Sequence, residues 1–415
     1  MDGDAFFVAV EIAKNPALRG LPVVTGGERG IATALSYEAK ALGVTRGMPV
    51  FRIKKEFPQV KILPGDYRAY AEYSRKMFDV VRRYVDDVDI EEYSIDECFA
   101  ELTGLERPLK MSYAQIAERI QREIRDELRL SISIGVAPTK LLSKVASKFV
   151  KPNGLTVIEN SRIPDFLTKT PIEKIWGIGW RTAIILQKQG IRTAQDFASK
   201  DRTWIREHLA KPHEVIWYEL NGTPVMGIDS KPKTIYGSIQ KTRTFHPATN
   251  DRVFLLSQLS KHVEDACAKA RRFDLAPRHI SIFLKTRDFT YASCRIDLPA
   301  PTNAPEIIAP LVRENFSKIH IPGRGVSGEA LRTVTLYRTA GVTLHDLIPV
   351  SHASADLFGG TARATKFETV HKQVDALEKK FGKRMVYLAS THSALLYEPD
   401  DEISVSGEGD DLLFL

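Results

Sequence analysis

Tyr93-Ser94-Ile95-Asp96-Glu97-Cys98-Phe99 is the stretch on which the fold reading turns. Apolar residues alternate before it (Val88, Ile90) and after it (Phe99, Leu102). That pattern predicts a β-hairpin with Asp96 and Glu97 near its tip. Two adjacent carboxylates between hydrophobic strands are costly unless positive charge sits against them. A hard divalent cation with oxygen ligands would supply that charge. On its own an Asp-Glu pair is most often an exposed turn, so a second piece is needed.

The start of the chain, Asp2-Gly3-Asp4-Ala5-Phe6-Phe7-Val8-Ala9-Val10-Glu11, supplies it. A carboxylate again leads into an apolar run, read here as a strand over Phe6 to Val10. If that strand neighbours the hairpin, Asp2 joins Asp96 and Glu97. Three carboxylates on adjacent strands suit two metals roughly 3.5–4 Å apart, the arrangement used for in-line displacement at phosphorus.

Working outward, residues 1 to about 165 alternate strand-like runs such as Ser131 to Val136 with amphipathic helices. Helices are predicted from about Arg68 to Tyr84, from Tyr113 to Leu128, and from Pro138 until Pro152-Asn153-Gly154. Residues 166 to 230 read as short helices broken by Gly and Pro, and Lys231-Pro232-Lys233 as a linker. Residues 234 to 343 give strand-helix-strand-strand-helix-strand, with strands at Ile235 to Phe245, His279 to Lys285, Tyr291 to Asp297 and Leu331 to Arg338. The stretch from 344 to 415 turns small and polar, then acidic. It is expected to be a flexible tail with a helix from Phe367 to Phe381.

The chain has 415 residues, too many for one core, with an ordinary soluble balance of 43% hydrophobic and 27% charged residues. No apolar run approaches the roughly 18 residues that span a bilayer, and the acidic opening does not read as a secretory signal. Three scattered cysteines (Cys98, Cys267, Cys294) are poor disulfide or zinc candidates and suit a reducing, cytoplasmic setting. Net charge is +7, and Lys231 to His345 holds 18 basic against 9 acidic residues. One segment thus carries the basic excess, as expected of a polyanion-binding module. A solvated basic surface explains the charge equally well.

The motifs, taken in order, resemble a known family. Asp-x-Asp-Ala-Phe-Phe opens the chain, Ser-Tyr-Glu-Ala-Lys follows at 36–40, and Tyr-Ser-Ile-Asp-Glu at 93–97. Next come Ser-Ile-Gly-Val-Ala-Pro-Thr-Lys-Leu-Leu-Ser-Lys-Val-Ala-Ser-Lys at 133–148 and Lys-Pro-Asn-Gly at 151–154. Over residues 1 to 345 this series resembles the Y-family translesion DNA polymerases, which include DNA polymerase IV and the catalytic subunit of polymerase V. The Asp-Gly-Asp opening is the more similar to polymerase V. The resemblance implies an α+β multidomain, right-hand polymerase. Its palm would take residues 1–11 and 64–165, its fingers 12–63, and its helical thumb, with a helix-hairpin-helix turn, 166–230. A βαββαβ little finger would take 234–343.

The site follows residue by residue. Asp2, Asp96 and Glu97 match the metal-binding carboxylates, with the Gly3 carbonyl as a further ligand for two Mg²⁺ ions, or Mn²⁺. Phe7 matches the steric gate against a ribose 2′-hydroxyl. Tyr37, Lys40 and Lys151 match the groups that grip the deoxynucleoside triphosphate. Gly177 and Gly179 match backbone contacts to a phosphate of primer-template DNA. Lys241, Arg243 and Arg332 are candidate phosphate contacts on the little finger. Asp356, Leu357 and Phe358 resemble the short peptide that docks on a sliding clamp; Asp411 to Phe414 is a second such stretch. The implied activity is low-fidelity synthesis past damaged bases in the DNA-damage (SOS) response, without proofreading, in the cytoplasm at the nucleoid and with no membrane partner.

This chain departs from the family twice. One residue precedes Asp2 where the family has a complete strand, so either the native chain starts upstream of Met1 or the first strand is abbreviated, and Asp2 would then be less firmly held. Lys40 stands where many relatives have Arg, giving a point charge instead of a fork. Two other readings remain: a catalytically silent DNA-binding scaffold of this fold, and a two-metal nuclease. Tyr37, Lys40 and Phe7 have no obvious use in a nuclease.

Overall fold

The computed structural model describes residues 1–231, 236–321, 335–352, 360–381 and 384–396. The chain divides into two compact units, the first built on Met1–Pro232 and the second on Lys233–Ser406.

The first unit holds strands β1 (Asp2–Gly3), β2 (Val23–Thr25), β3 (Ala34–Leu35), β4 (Lys61–Leu63), β5 (Ile90–Glu92), β6 (Cys98–Ala100), β7 (Ile132–Val136) and β8 (Leu155–Val157). β7 is central, antiparallel to β1 and parallel to β8. β5 and β6 form the predicted hairpin, with Glu91 opposite Phe99. An antiparallel bridge between Asp2 and Glu97 ties the hairpin to β1. A separate sheet in the order β3-β2-β4 belongs to the segment read as fingers.

Two long helices close the core of this unit. The Tyr113–Leu128 helix begins on a capping box, the Ser112 and Gln115 side chains each serving the other's backbone N–H. It buries Ile116, Ile120 and Ile124, one stripe at i, i+4. Each such side chain contributes about 1.5–3 kcal/mol. The Tyr67–Val81 helix starts on Asp66, whose carboxylate accepts from Ala69 N–H, and buries Tyr70, Met77 and Val81.

Phe6 to Val10 is not a strand. Phe6–Lys14 is a helix, and the strand before it is only Asp2–Gly3. Phe6 and Val10, four residues apart, enter the core built on the two long helices. Val8 faces the other way, against Leu18 and Val23. A helix buried on two sides therefore shows the 6-8-10 alternation of buried residues that a strand would show.

In the second unit, β9 (Ser238–Thr249), β10 (Leu275–Thr286), β11 (Tyr291–Asp297) and β12 (Tyr337–Pro349) form one antiparallel sheet, ordered β11-β10-β12-β9. The Arg252–Arg272 and Pro305–Asn315 helices pack on one face through Leu255, Leu259, Val263, Ile308 and Val312. Of the strand expected at Leu331 to Arg338, residues 331–334 lie outside the described residues; the described strand runs from Tyr337 to Pro349, so a boundary at 343 would cut through it. Gly341 hides the continuation. A Cβ there would stand 2.3 Å from the Phe283 ring, so only glycine lets that ring cross the strand.

Nor is the stretch after 344 a loose tail throughout. β12 continues to Pro349, and a helix spans Gly360–Phe381. Arg271 grips Asp375 of that helix through two bonds of 2.7 Å. Further on, Leu388 N–H and the Thr391 hydroxyl donate to Glu264, and Ala394 N–H donates to the Ser257 hydroxyl. Residues 384–396 thus lie against the Arg252–Arg272 helix as part of this unit.

Candidate active site

Backbone pairing fixes the three carboxylates before any side chain is considered. Gly3 N–H donates to the Asp96 carbonyl at 2.8 Å, and Cys98 N–H to the Met1 carbonyl at 3.3 Å. Asp2 faces Ser133 on one side and Glu97 on the other. The two-residue β1 is therefore held along both edges. A Cβ on Gly3 would come 3.2 Å from the Cβ of Asp96, so the two backbones meet at close approach.

The charges are then matched. Lys151 pairs with Asp2 and lies 3.3 Å from Asp4. Lys144 Nζ donates to Glu97 at 2.6 Å, and the Ser94 hydroxyl donates to Asp96 at 3.0 Å. Asp4 is fully enclosed: the hydroxyls of Ser131 and Ser133 and the N–H of Asn153 all donate to it. Burial pushes the Asp96 carboxyl up from its ordinary pKa. Glu97 is raised by burial and by the hydrogen bond it shares with Asp2, against the pull of Lys144. Asp2 feels burial too, but its bonds to Glu97 and Lys151 hold it below the usual range. Burial works against the Lys151 ammonium, yet Asp2 and Asp4 hold its pKa above the ordinary value.

Among the described residues, no three acidic, histidine or cysteine side chains close on one point. Instead Lys151 takes up Asp2 and Lys144 takes up Glu97. The donor set of three carboxylates and a backbone carbonyl is nonetheless the hard-oxygen kind that Mg²⁺ and Mn²⁺ bind. Rotation of the Asp2 side chain away from Lys151 is what a shared cation would require, whereas Lys144 donates to Oε2 of Glu97 and leaves the other oxygen for the cation.

Tyr37 and Lys40 come to the same place from the Tyr37–Ala41 helix, which Ser36 caps by accepting from Ala39 N–H. Burial and the charges of Asp4 and Asp2 push the Tyr37 phenol up to about 12. Lys40 stands 4.2 Å over the Tyr37 ring, and burial together with Lys151 lowers its pKa. Phe7 lies on its helix with the ring stacked on Tyr70 at 4.4 Å and edge-on to Tyr67 at 5.8 Å. It is half-buried, so neither a pure core role nor full exposure describes it.

Comparison with known proteins decides the family. Residues 1–148 match the impB/mucB/samB family, and residues 237–357 match the impB/mucB/samB family C-terminal domain. DNA polymerase IV of Caulobacter vibrioides is 31% identical over 388 residues, 93% of this chain and 92% of that protein. DNA polymerase IV 1 of Bacillus subtilis is 29% identical over 397 residues, 94% of this chain and 92% of that protein. The chain belongs to the Y-family DNA polymerases.

Solved structures carry the same fold. A Y-family DNA polymerase chimera, Dbh-Dpo4(243-245)-Dbh, matches with a TM-score of 0.66 at 24% identity, over 84% of this chain and 98% of that one. A Dbh ternary complex matches with a TM-score of 0.54 at 26% identity, over the same shares. This polymerase is a DNA-directed, translesion enzyme of α+β build. The relatives named here are polymerase IV, so the opening similar to polymerase V does not set the likeness of the rest of the chain. No helix among the described residues is long and apolar enough to cross a membrane.

The DNA-contact candidates of this Y-family polymerase fare unevenly. Gly177 has φ +91°, and Gly179 caps the Trp180–Lys188 helix with open space where a side chain would be. Lys241 and Arg243 are half-buried on the same face of β9 as Ile239 and Phe245, the face the helices cover, rather than on an exposed one. Arg332, and the Asp356, Leu357 and Phe358 peptide, lie outside the described residues.

Three residues of the site escape the sequence reading: Asp4, Lys144 and Lys140. Asp4 carries a signal as the second acid of Asp-x-Asp. Lys140 and Lys144 carry one as lysines at i, i+4 in a helix whose neighbours Leu141, Leu142 and Val145 are all core residues. Lys140 pairs with Glu91, which also accepts from Asp229 N–H at 2.8 Å.

Proposed function

We propose that Asp2, Asp96, Glu97 and the Gly3 carbonyl hold two divalent ions for nucleotidyl transfer from a deoxynucleoside triphosphate to a primer 3′-hydroxyl. The observation that carries this reading is the backbone junction at which β1 meets the hairpin tip, setting the main chains of Asp2, Asp96 and Glu97 side by side. Bound ions of this kind lower the pKa of the attacking hydroxyl and neutralise charge on the phosphates. Asp4 takes no ligand role; its bonds from Ser131, Ser133 and Asn153 brace the strand that carries Asp2. Tyr37, Lys40 and Lys151 offer a phenolic donor and two ammonium groups to the triphosphate. Lys151, paired with Asp2 and beside Asp4, would exchange these carboxylate partners for phosphate oxygens. Phe7, immobilised by Tyr70, closes the place of a ribose 2′-hydroxyl.

Duplex DNA would be held without sequence reading by the Gly177 and Gly179 turn and by basic residues of the second unit, Arg332 among them. Asp356, Leu357 and Phe358 are proposed as a sliding-clamp peptide. Synthesis without proofreading belongs to the same proposal, with residues 1–11 and 64–165 taken as palm, 12–63 as fingers, 166–230 as thumb and 234–343 as little finger.

The test is primer extension on an undamaged template with Mg²⁺ and four deoxynucleotides, beside Asp96→Ala and Phe7→Ala. Asp96→Ala should abolish extension while binding DNA as before; binding lost in parallel would make the site structural. Phe7→Ala should incorporate ribonucleotides and keep deoxynucleotide synthesis. Unchanged sugar discrimination would reduce Phe7 to packing.

A further inference from the structure

Lys144 has a setting that nucleotide binding does not require. Its side chain is 9% exposed, and its ammonium donates to Glu97 Oε2 at 2.6 Å. Three aromatic rings surround that ammonium: Tyr93 at 4.3 Å, Trp176 at 5.0 Å and Phe99 at 5.8 Å. The rings brace one another. Trp176 Nε1–H donates to the Tyr93 hydroxyl at 3.0 Å, Tyr93 meets Trp176 edge-on at 5.1 Å, and Phe99 stacks on Trp176 at 5.8 Å. Tyr93 and Phe99 flank Asp96 and Glu97 in the hairpin, whereas Trp176 immediately precedes the Gly177-Ile178-Gly179 turn.

A lysine is normally a mobile point charge on four methylenes. Here ring faces attract the ammonium from several sides in a desolvated place, where cation–π attraction is strongest. The result is a fixed donor aimed at one carboxylate oxygen. Glu97, on a longer and freer side chain, gains from that donor what Asp96 gains from Ser94. We infer that Lys144, caged by Tyr93, Phe99 and Trp176, is a positioning residue that sets the orientation of the Glu97 carboxylate and ties it to the Gly177–Gly179 turn. The inference rests on the reading of Glu97 as a ligand. It adds that Trp176, the residue leading into the proposed DNA-phosphate turn, helps to hold that ligand in place.

Lys140 extends the same device. Its ammonium lies 4.8 Å over the Phe99 ring and pairs with Glu91, the residue opposite Phe99 in the hairpin. The Lys140–Phe149 helix thus presents both lysines to the hairpin, with the Phe99 ring shared between them.

The experiment compares Lys144→Met, Lys144→Arg and Trp176→Leu with the intact chain in single-turnover extension, with DNA affinity and thermal midpoint measured on each. Lys144→Met should lower the maximal rate about 10–100-fold, as loss of a ligand's supporting partner does. Its KM for the nucleotide and its DNA affinity should stay within about threefold, since no ground-state contact is removed. Lys144→Arg should recover most of the rate, and Trp176→Leu should lower the rate less than Lys144→Met. A second readout needs no turnover. Mg²⁺ added to the DNA-bound chain should change tryptophan emission, because a cation on the other Glu97 oxygen alters the charge beside the caged ammonium, and Trp176→Phe should remove that change. The inference falls if Lys144→Met keeps the rate. It falls equally if rate, DNA affinity and thermal midpoint drop together without rescue by Arg, or if the emission change survives Trp176→Phe. An Asp96→Asn control that still extends primers would instead overturn the reading of the site itself.

Discussion

Asp96 shows at the scale of one residue what an enclosed carboxylate costs the fold. Burial raises its pKa above the ordinary carboxyl value, while Ser94 offers a compensating donor. The folded state therefore binds a proton that the unfolded state releases. Stability carried by the protonated form is present below the unfolded pKa and lost as pH rises through the folded one. Asp96→Asn, which keeps the shape and removes the charge, should raise the thermal midpoint of the metal-free chain at pH 8 and change it little at pH 4. Melting in chelator at both pH values checks this, and a lowered midpoint at pH 8 would mean that Asp96 is paired rather than isolated. The gain should vanish when Mg²⁺ is added, because the wild-type carboxylate then has its partner.

Elements are legible in the sequence in proportion to how far local signals agree with packing. The Tyr113–Leu128 helix reads residue for residue because cap, stripe and length point the same way. The hairpin reads equally well, since Ile90 and Phe99 set its alternation on either side of the two acids. Two elements mislead for physical reasons. Phe6 to Val10 looks like a strand because its helix is buried on two sides, and an apolar run of that length cannot be told apart by period alone. β12 is read as ending at Arg338, although the strand continues through Gly341, which makes room for the Phe283 ring. The carboxylates are legible as a constellation, whereas Lys144 is not, since a lysine in an amphipathic helix reads as solvated until the rings around it are known. The Gly360–Phe381 helix carries its own test. Asp375→Ala should destabilise the second unit by about 2 kcal/mol, because Arg271 loses a two-bond charged partner. In an Arg271→Ala background the same change should cost little more. Denaturant unfolding of the chains of that double-mutant cycle measures it, and strictly additive effects would show that the helix is not docked through this pair.

For the molecule as a whole, two units with separate cores mean that unfolding need not be one transition. The second unit holds the basic excess and also His262, a buried imidazole that burial pushes down to about 3, with Lys261, Arg243 and Lys241 acting in the same direction and Asp265 against them. Among the described residues its Nε2 has no hydrogen-bond partner. Unfolded, the same side chain takes up a proton near its ordinary value of about 6.5. Between that value and about 3 the unfolded state binds the extra proton, so the stability present above it is lost progressively as pH falls. Added positive charge on an already basic unit works in the same direction. Acidification should unfold the second unit in a step of its own, and His262→Leu, which removes the titrating group from an apolar setting, should move that step to lower pH. Circular dichroism across an acid titration, read beside tryptophan emission, follows the two units separately, because all four tryptophans (Trp176, Trp180, Trp204 and Trp217) lie in the first. An acid step that His262→Leu leaves in place would assign the sensitivity instead to Asp265, whose carboxyl, against burial, Lys261 and Arg384 hold below its ordinary value.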